Sequence, residues 1–191
     1  MMNAIFERPT IAQPRIQTLP VGVKLMPLKM HQDDRGDFTE VYREEWMGVQ
    51  EPMIQWNVVN TRANTIRGVH VHSDHVDYLI CVSGHTSVGL ADMRRGSPTE
   101  GLATRLEMCG DSLGGLVIPQ GVAHGFYFHE DSMHVYGVSS YYDTGDFLGC
   151  KWNDPEMGIP WTCRDPWISD RDNTLPRYRD VISRVAPWQG L

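Results

Sequence analysis

The sequence predicts an all-β protein: a barrel or sandwich of short antiparallel strands with a few short peripheral helices. From Gln55 onward, short runs rich in β-branched and aromatic residues follow one another at close spacing. Turn-forming residues separate these runs, most clearly at Ser83-Gly84 and at the stretch from Arg95 to Pro98. Helical patterns are rare, and the best of them, from Phe38, could equally form an edge strand.

Six consecutive strands are expected in the middle of the chain. Their sequences are VDYLICVSG, HTSVGLADM, ATRLEM, GLVIP, GVAHGFYFH and MHVYGVSSYY. After Tyr142 this pattern fades into what we interpret as ordered loop, and the tail is compatible with a short helix. We therefore predict one domain over residues 1–191, with an N-terminal arm at 1–27 and a C-terminal tail at 173–191.

Composition argues against several classes of protein. The 191 residues carry a net charge of -7, with 17 basic and 24 acidic side chains, which gives no support to a nucleic-acid or anionic-membrane surface. No apolar run is long enough for a membrane span, and the N-terminal residues lack a signal-peptide core. We expect a cytoplasmic protein. The four cysteines are far apart in sequence and are expected to be reduced thiols.

Histidines are clustered in one part of the sequence. His70, His72 and His75 lie within six residues, and His124 follows a Pro-x-Gly turn. Strand alternation places His70 and His72 on one face. Because His70 and His124 adjoin glycine-containing turns inside apolar strands, a functional role is favoured for both. Surface or structural positions are expected for the histidines at 31, 85, 129 and 134.

Two chemistries could use such a cluster, and the residues alone leave both open. One is proton transfer, with histidine as base and tyrosine as acid. If the strand is unbroken, Tyr136 and Tyr142 share a face while Tyr141 points away. The other is metal ligation by neutral imidazoles and a carboxylate.

Six motifs in order add a resemblance. They are DDRGDFTEVY, QWNVVNTRANTIRGVH, DMRRGSPTEG, IPQGVAHGF, YGVSSYY and NDPEMGIPW. Together they resemble the dTDP-4-dehydrorhamnose 3,5-epimerase family over about Asp33 to Asp172. The resemblance implies a cupin-type jelly-roll barrel that forms a homodimer and needs no cofactor or metal. It also implies an isomerase that inverts C3, C5 or both of a nucleotide-linked 4-keto-6-deoxy sugar in deoxysugar biosynthesis.

The resemblance also implies roles for individual residues. His70 matches the general base, Tyr136 the general acid on the other side of the sugar, and Asp172 the carboxylate that orients the base. The residues expected to bind substrate are Arg35, Glu40, Gln55, Asn57, Arg67, His72, His124 and Tyr142. In the implied reaction the C4 carbonyl acidifies the neighbouring hydrogens, and a base and an acid on opposite faces invert the carbon through an enolate.

One position departs from the family. A lysine near the enolate oxygen is expected seven residues before Gly84, where this sequence has Asp77. A carboxylate there would destabilise an enolate, so either another cation or donor, such as His72 or His75, replaces the lysine, or the chemistry has changed.

The same stretch fits a metal-binding cupin pattern, which offers an alternative. In that reading the ligands of Fe(II), Mn, Ni or Zn are His70, His72, Asp77 and His124, and the protein is a metal-dependent isomerase or oxygenase. A hybrid, in which an epimerase has acquired a metal in place of the lysine, also fits. A non-catalytic sugar-binding barrel is a third hypothesis. The six motifs favour the epimerase.

Overall fold

A computed structural model describes residues 18–48, 51–141 and 148–190. Within these ranges the chain forms twelve strands and a few short helices. The strands are β1 (Lys24–Pro27), β2 (Met30–Asp33), β3 (Gly36–Thr39), β4 (Gln55–Thr61), β5 (Thr65–Val71), β6 (Asp77–Ser83), β7 (His85–Asp92), β8 (Ala103–Cys109), β9 (Gly114–Ile118), β10 (Val122–Phe128), β11 (Ser132–Val138) and β12 (Leu148–Gly149). The helices are α1 (Glu44–Met47), α2 (Asp170–Asn173), α3 (Tyr178–Val181) and a 3-10 turn (Ile182–Arg184).

The strands form two five-stranded antiparallel sheets and a separate hairpin. The first sheet has the order β1-β9-β6-β11-β4, and the second has the order β12-β5-β10-β7-β8. Strands β2 and β3 pair with each other as a two-stranded hairpin. This arrangement confirms the predicted all-β class.

The hydrophobic pattern of each strand matches its place in the sheets. Central strand β6 is a nearly continuous apolar run, because Leu79 packs between the sheets while Tyr78 and Ile80 are buried on the opposite face. Edge strand β4 instead alternates between partly buried and exposed residues, and Val58 on its outer face is 62% exposed. Its other face is thereby directed into the space between the sheets.

The main hydrophobic core lies between the two sheets. Its buried members are Val23, Leu79, Cys81, Val88, Leu90, Leu106, Met108, Leu116, Ile118 and Val122. Two of them, Leu79 and Ile118, also line an interior cavity. The core and the cavity therefore share the same inter-sheet space.

The six predicted central strands correspond to β6 through β11. The predicted turn at Ser83-Gly84 joins β6 to β7, and Gly84 has the positive φ of 84° that such a turn requires. The segment from Phe38 contains both expected elements in succession, the end of β3 and then α1.

Other segments differ from the predictions. Strand β11 ends at Val138, so it does not continue to Tyr142, which lies outside the described residues. The end of the expected arm at 1–27 forms β1, which pairs with β9. The expected tail at 173–191 contains α3, whose Val181 is fully buried in a second core cluster outside the second sheet. No helix within the described ranges is long and apolar enough to cross a membrane.

Replacing Leu116 by alanine tests the importance of the inter-sheet core. Leu116 is fully buried, so the variant should lose about 2–5 kcal/mol of unfolding free energy through lost burial and the residual cavity. Urea denaturation measures this loss. Val58→Ala, on the exposed face of β4, is the control and should change stability by about 0.5 kcal/mol or less. Equal effects of the two substitutions would contradict the packing described.

Candidate active site

A cavity of about 590 Å³ lies between the sheets, a volume typical of small-molecule sites. Side chains from both sheets and from the α2 region line it. Among the residues predicted from sequence, those that reach it are Gln55, Asn57, Arg67, His70, His72, Asp77, His124, Tyr136 and Asp172. The fold thus brings together groups that are separated by more than a hundred positions in the chain.

His70 and Asp172 form a hydrogen-bonded pair on one wall. The His70 Nε2 lies 2.9 Å from Asp172 Oδ1, and Asp172 is only 4% exposed. The backbone N–H of Gly68 donates to Asp172 Oδ2 at 3.0 Å, and the Arg171 Nε donates to Oδ1 at 3.3 Å. The Ser169 hydroxyl accepts the Asp172 N–H at 3.1 Å and so caps the start of α2.

These contacts hold Asp172 in its ionised form. Burial alone raises the pKa of this carboxyl group, but the hydrogen bond and charge of His70, the Gly68 N–H and the Arg171 charge outweigh that effect and lower the pKa to about 2. A buried carboxylate that accepts a hydrogen bond from the imidazole fixes the orientation of the His70 ring.

Gly68 is needed for this contact. Its φ is 106°, a region that residues with a Cβ rarely adopt. A Cβ there would lie 2.9 Å from both Gly125 Cα and the His124 carbonyl oxygen. Glycine therefore allows β5 to approach β10 closely while its N–H points to Asp172.

Tyr136 belongs to the other sheet. It lies on β11, opposite Asn57 of β4 in the strand register, and both side chains line the cavity. The Gln55 amide donates to Asn57 Oδ1 at 3.1 Å. His70, paired with Asp172 of α2, and the Tyr136 phenol therefore come from opposite sheets around one cavity.

A group of imidazoles surrounds Asp77. The rings of His72 and His75 stack with centroids 4.1 Å apart, and the centroid of His124 is 5.3 Å from that of His72. Asp77 lies 3.8 Å from His75 through one oxygen and 3.8 Å from His124 through the other. The position at which the family resemblance expects a lysine is thus a largely buried carboxylate among histidines.

His72 and His124 are neutral imidazoles at neutral pH. Burial, followed by the charge of His124, lowers the pKa of His72 to about 2. Burial, followed by the charge of His70, lowers the pKa of His124 to about 3. Of the two roles expected for His72 in place of the lysine, a cation or a hydrogen-bond donor, its lowered pKa therefore favours the donor.

Arg67 reaches the cavity from β5, and its Nε donates to Thr61 Oγ1 at 3.0 Å.

His134 also lines the cavity, but it is 3% exposed and hydrogen bonds to Thr86 Oγ1 at 3.0 Å. Burial and the nearby Arg67 charge lower the pKa of His134 to about 4. The structural position expected for His134 agrees with these contacts.

Arg35 and Glu40 do not line the cavity of their own chain. Arg35 lies at the turn of the β2–β3 hairpin and pairs with Asp33, with its Nε 3.2 Å from each carboxylate oxygen. Glu40 pairs with Arg43 at 2.6 Å. Their substrate-binding roles, and that of Tyr142 outside the described residues, stay predictions.

Arg171 was not predicted from the sequence. Its Nη2 lies 3.1 Å from His70 Nε2, and it adjoins Asp172 in the chain. The pattern Ser169-x-x-Asp172 is a typical signal for a helix start, and it could have located α2 beside the base. His75, considered only as a substitute for the lysine, joins the cavity through its contact with Asp77.

A family model described as dTDP-4-dehydrorhamnose 3,5-epimerase matches residues 18–180 of the sequence. The chain belongs to the dTDP-4-dehydrorhamnose 3,5-epimerase family. The predicted enzyme class, an isomerase, is confirmed by this membership. A family member from Neisseria gonorrhoeae is 31% identical over 164 residues, which cover 82% of this chain. The match spans 50% of that relative's own length.

Solved structures of epimerases share the fold. The dTDP-4-dehydrorhamnose 3,5-epimerase of Bacillus anthracis, with TDP and PPi bound, is 33% identical with a TM-score of 0.79, and the match covers 85% of this chain and 97% of that one. ChmJ of Streptomyces bikiniensis, a 3'-monoepimerase in complex with dTDP-quinovose, is 26% identical with a TM-score of 0.81. That match covers 89% of this chain and 91% of that one.

Replacing Asp172 by asparagine should change how the stability of this epimerase depends on pH. Because the folded-state pKa of Asp172 lies near 2, below the ordinary value of 3.8, its ionisation stabilises the fold above about pH 4. This contribution, about 2 kcal/mol, is lost as the pH falls toward 2. The unfolding free energy of wild type should therefore fall more steeply than that of Asp172→Asn.

Urea denaturation at several pH values from about 6 down to about 2 measures this difference. Asp170→Asn, on the exposed side of α2, is the matched control and should keep the wild-type profile. Parallel profiles for wild type and Asp172→Asn would contradict the ionised, buried state of Asp172.

Proposed function

We propose that this protein epimerises a dTDP-linked 4-keto-6-deoxyhexose by proton transfer between His70 and Tyr136. The supporting observation is that a hydrogen-bonded His70–Asp172 pair and the Tyr136 phenol enter one cavity from opposite sheets. Inversion of a carbon requires removal of a proton on one face and delivery on the other. A base and an acid on facing walls satisfy that requirement.

The His70–Asp172 contact assigns the tautomer of the base. Because Asp172 is ionised, the His70 Nε2–H donates to it, and removal of the substrate proton is assigned to Nδ1 of the same ring. The Arg171 guanidinium stabilises the same carboxylate. As the proton leaves C3 or C5, the electron pair moves onto the C4 oxygen, and the Tyr136 hydroxyl then returns a proton to the opposite face.

The nucleotide part of the substrate is assigned to the polar residues at β4 and β5. The planar guanidinium of Arg67 is suited to a diphosphate, and Gln55 and Asn57 offer amide groups beside it. The B. anthracis relative holds TDP and PPi, and ChmJ holds dTDP-quinovose, which supports a thymidine diphosphate carrier.

Since ChmJ is a 3'-monoepimerase, inversion at C3 alone and inversion at both C3 and C5 are the two product outcomes to distinguish. The biological setting proposed is deoxysugar biosynthesis in the cytoplasm.

The working form proposed is a homodimer. Within the described residues, β2 and β3 pair only with each other, and the hairpin exposes Phe38 (65% exposed). Arg35 and Glu40 lie on or next to this hairpin, away from the cavity of their own chain. Their predicted contacts with substrate would then be made in the cavity of a second copy.

Substituting His70 tests the assignment of the base. His70→Ala should abolish incorporation of solvent deuterium at C3 and C5 of the dTDP-4-keto sugar, because no other group is proposed to remove the proton. Tyr136→Phe should keep measurable incorporation but slow or misdirect formation of the inverted product, since only reprotonation is impaired. NMR of the sugar in deuterated buffer measures both.

Binding of dTDP by each variant is the control for folding. Persistent deuterium incorporation in His70→Ala would contradict its role as base. Tight binding of the 4-keto sugar by wild type without any incorporation would instead favour the non-catalytic sugar-binding barrel.

Replacing Arg35 by alanine tests the homodimer. If Arg35 contacts the diphosphate in a second copy, the KM for the nucleotide sugar should rise about tenfold or more while kcat changes little, because a binding contact is lost. Arg95→Ala removes an exposed charge elsewhere and should leave KM unchanged. Light scattering of the wild-type protein should give the mass of a dimer. A monomeric wild-type protein, together with an unchanged KM in Arg35→Ala, would contradict the proposal.

A further inference from the structure

We infer that the cavity binds a divalent transition-metal ion through His72, His75, His124 and the carboxylate of Asp77. In this inference the ion occupies the place of the family lysine as the positive charge that faces the enolate oxygen. The binding site rests on the geometry alone, whereas the role of the ion rests on the proposed function.

The donor atoms are close enough to share one ion. One ligand atom each from His72, His75 and Asp77 lies within 4.8 Å of the other two. Asp77 Oδ1 is 3.8 Å from His75 Nε2, and Asp77 Oδ2 is 3.8 Å from His124 Nε2. Ligands held about 2.0–2.2 Å from a common ion lie about 3–4 Å apart, so small side-chain rotations complete the site.

Hydrogen bonds behind two of the histidines orient them as ligands. His75 Nδ1 lies 3.2 Å from the Asp74 carboxylate, and its Nε2 faces Asp77. His124 Nδ1 lies 3.3 Å from the Val122 carbonyl oxygen, and its Nε2 also faces Asp77. Donation from Nδ1 to an acceptor leaves the Nε2 lone pair directed at the ion, the arrangement commonly found around metal-bound histidines.

The chemistry of the donors defines the class of ion. Three imidazoles and one carboxylate favour Zn²⁺, Fe²⁺, Co²⁺, Ni²⁺ or Mn²⁺ over the oxygen-preferring Mg²⁺ and Ca²⁺. The single carboxylate charge leaves the bound dication with a net positive charge toward the cavity.

This ligand set differs from the metal alternative expected from the sequence. His70 is paired with Asp172 and is not among the grouped ligand atoms of His72, His75 and Asp77, so His75 takes its place in the set. The base is thereby kept for proton transfer while the ion neutralises charge on the oxygen. When the C–H bond breaks, its electron pair moves to the C4 oxygen, and no electron is gained or lost by the metal.

A second group of similar donors provides an internal comparison. His85, Glu107 and His129 also have ligand atoms within 4.8 Å of one another, but they lie outside the cavity. The Ser87 hydroxyl donates to both Glu107 oxygens, at 2.9 and 2.8 Å. The side chains of His85 and Glu107 are 41% and 42% exposed. Substitution of His85 therefore reports on surface binding alone.

Metal binding by the purified full-length protein tests the site. After chelation, titration with Zn²⁺ or Co²⁺ should show one tight equivalent per chain in the cavity, with a visible Co²⁺ spectrum of low coordination number. His75→Ala and Asp77→Asn should each weaken this binding by about 100-fold or more, and Asp74→Asn by about 10- to 100-fold. His85→Ala should leave the tight equivalent unchanged. Circular dichroism and thermal unfolding confirm that each variant is folded.

Two outcomes would overturn the site. One is the absence of a tight equivalent in wild type. The other is a tight equivalent that is lost in His85→Ala but kept in folded His75→Ala. Should Asp77→Asn fail to fold, His75→Ala and Asp74→Asn test the same site, because both side chains lie at its edge.

Deuterium incorporation into the dTDP-4-keto sugar separates this inference from the proposed function. Incorporation that falls at least tenfold on metal removal and returns on reloading supports both. Full incorporation by metal-free protein overturns the role of the ion but not the epimerase. Tight metal binding that depends on His75, without incorporation in any form, overturns the proposed function and keeps the site.

Discussion

The buried carboxylate of Asp172 is the contact on which the arrangement of the cavity depends. It joins α2, near the end of the chain, to β5 near its middle, because it accepts hydrogen bonds from both His70 and the Gly68 N–H. A charge at this depth is tolerated only when it is well hydrogen bonded. The contacts that satisfy Asp172 are therefore the same contacts that orient the base.

The space between the two sheets contains both a hydrophobic core and a cavity lined by polar side chains. Apolar residues such as Leu116 and Val88 fill part of the space, and polar groups from β5, β6, β10 and β11 surround the remainder. Strand alternation explains how this is possible, since each strand directs every second side chain inward. Changing the inward residue at one position alters the cavity without changing the face that packs outward.

Asp77 illustrates such a change. At the position where the family resemblance expects a lysine, a buried carboxylate lies between His75 and His124. Repulsion between Asp77 and an enolate would work against the reaction. The neighbouring imidazoles matter because, together with that carboxylate, they form the proposed ligand set. A site that binds its positive charge as an ion, rather than carrying it on a side chain, is consistent with the contacts of Asp77 to His75 and His124.

The sequence by itself determined the all-β class, the six strands β6 to β11 and the family, because alternation and turn residues are local signals and the motifs are contiguous. It also indicated His70, Tyr136 and Asp172 through the resemblance. The tertiary structure shows the contact between Asp172 and His70 that the resemblance implied, and it alone decided that His75 belongs with Asp77. It also placed Arg35 away from its own cavity. Each of these contacts and positions joins residues far apart in the chain or involves a residue beyond the end of a strand. There the strand alternation no longer specifies the direction in which a side chain points.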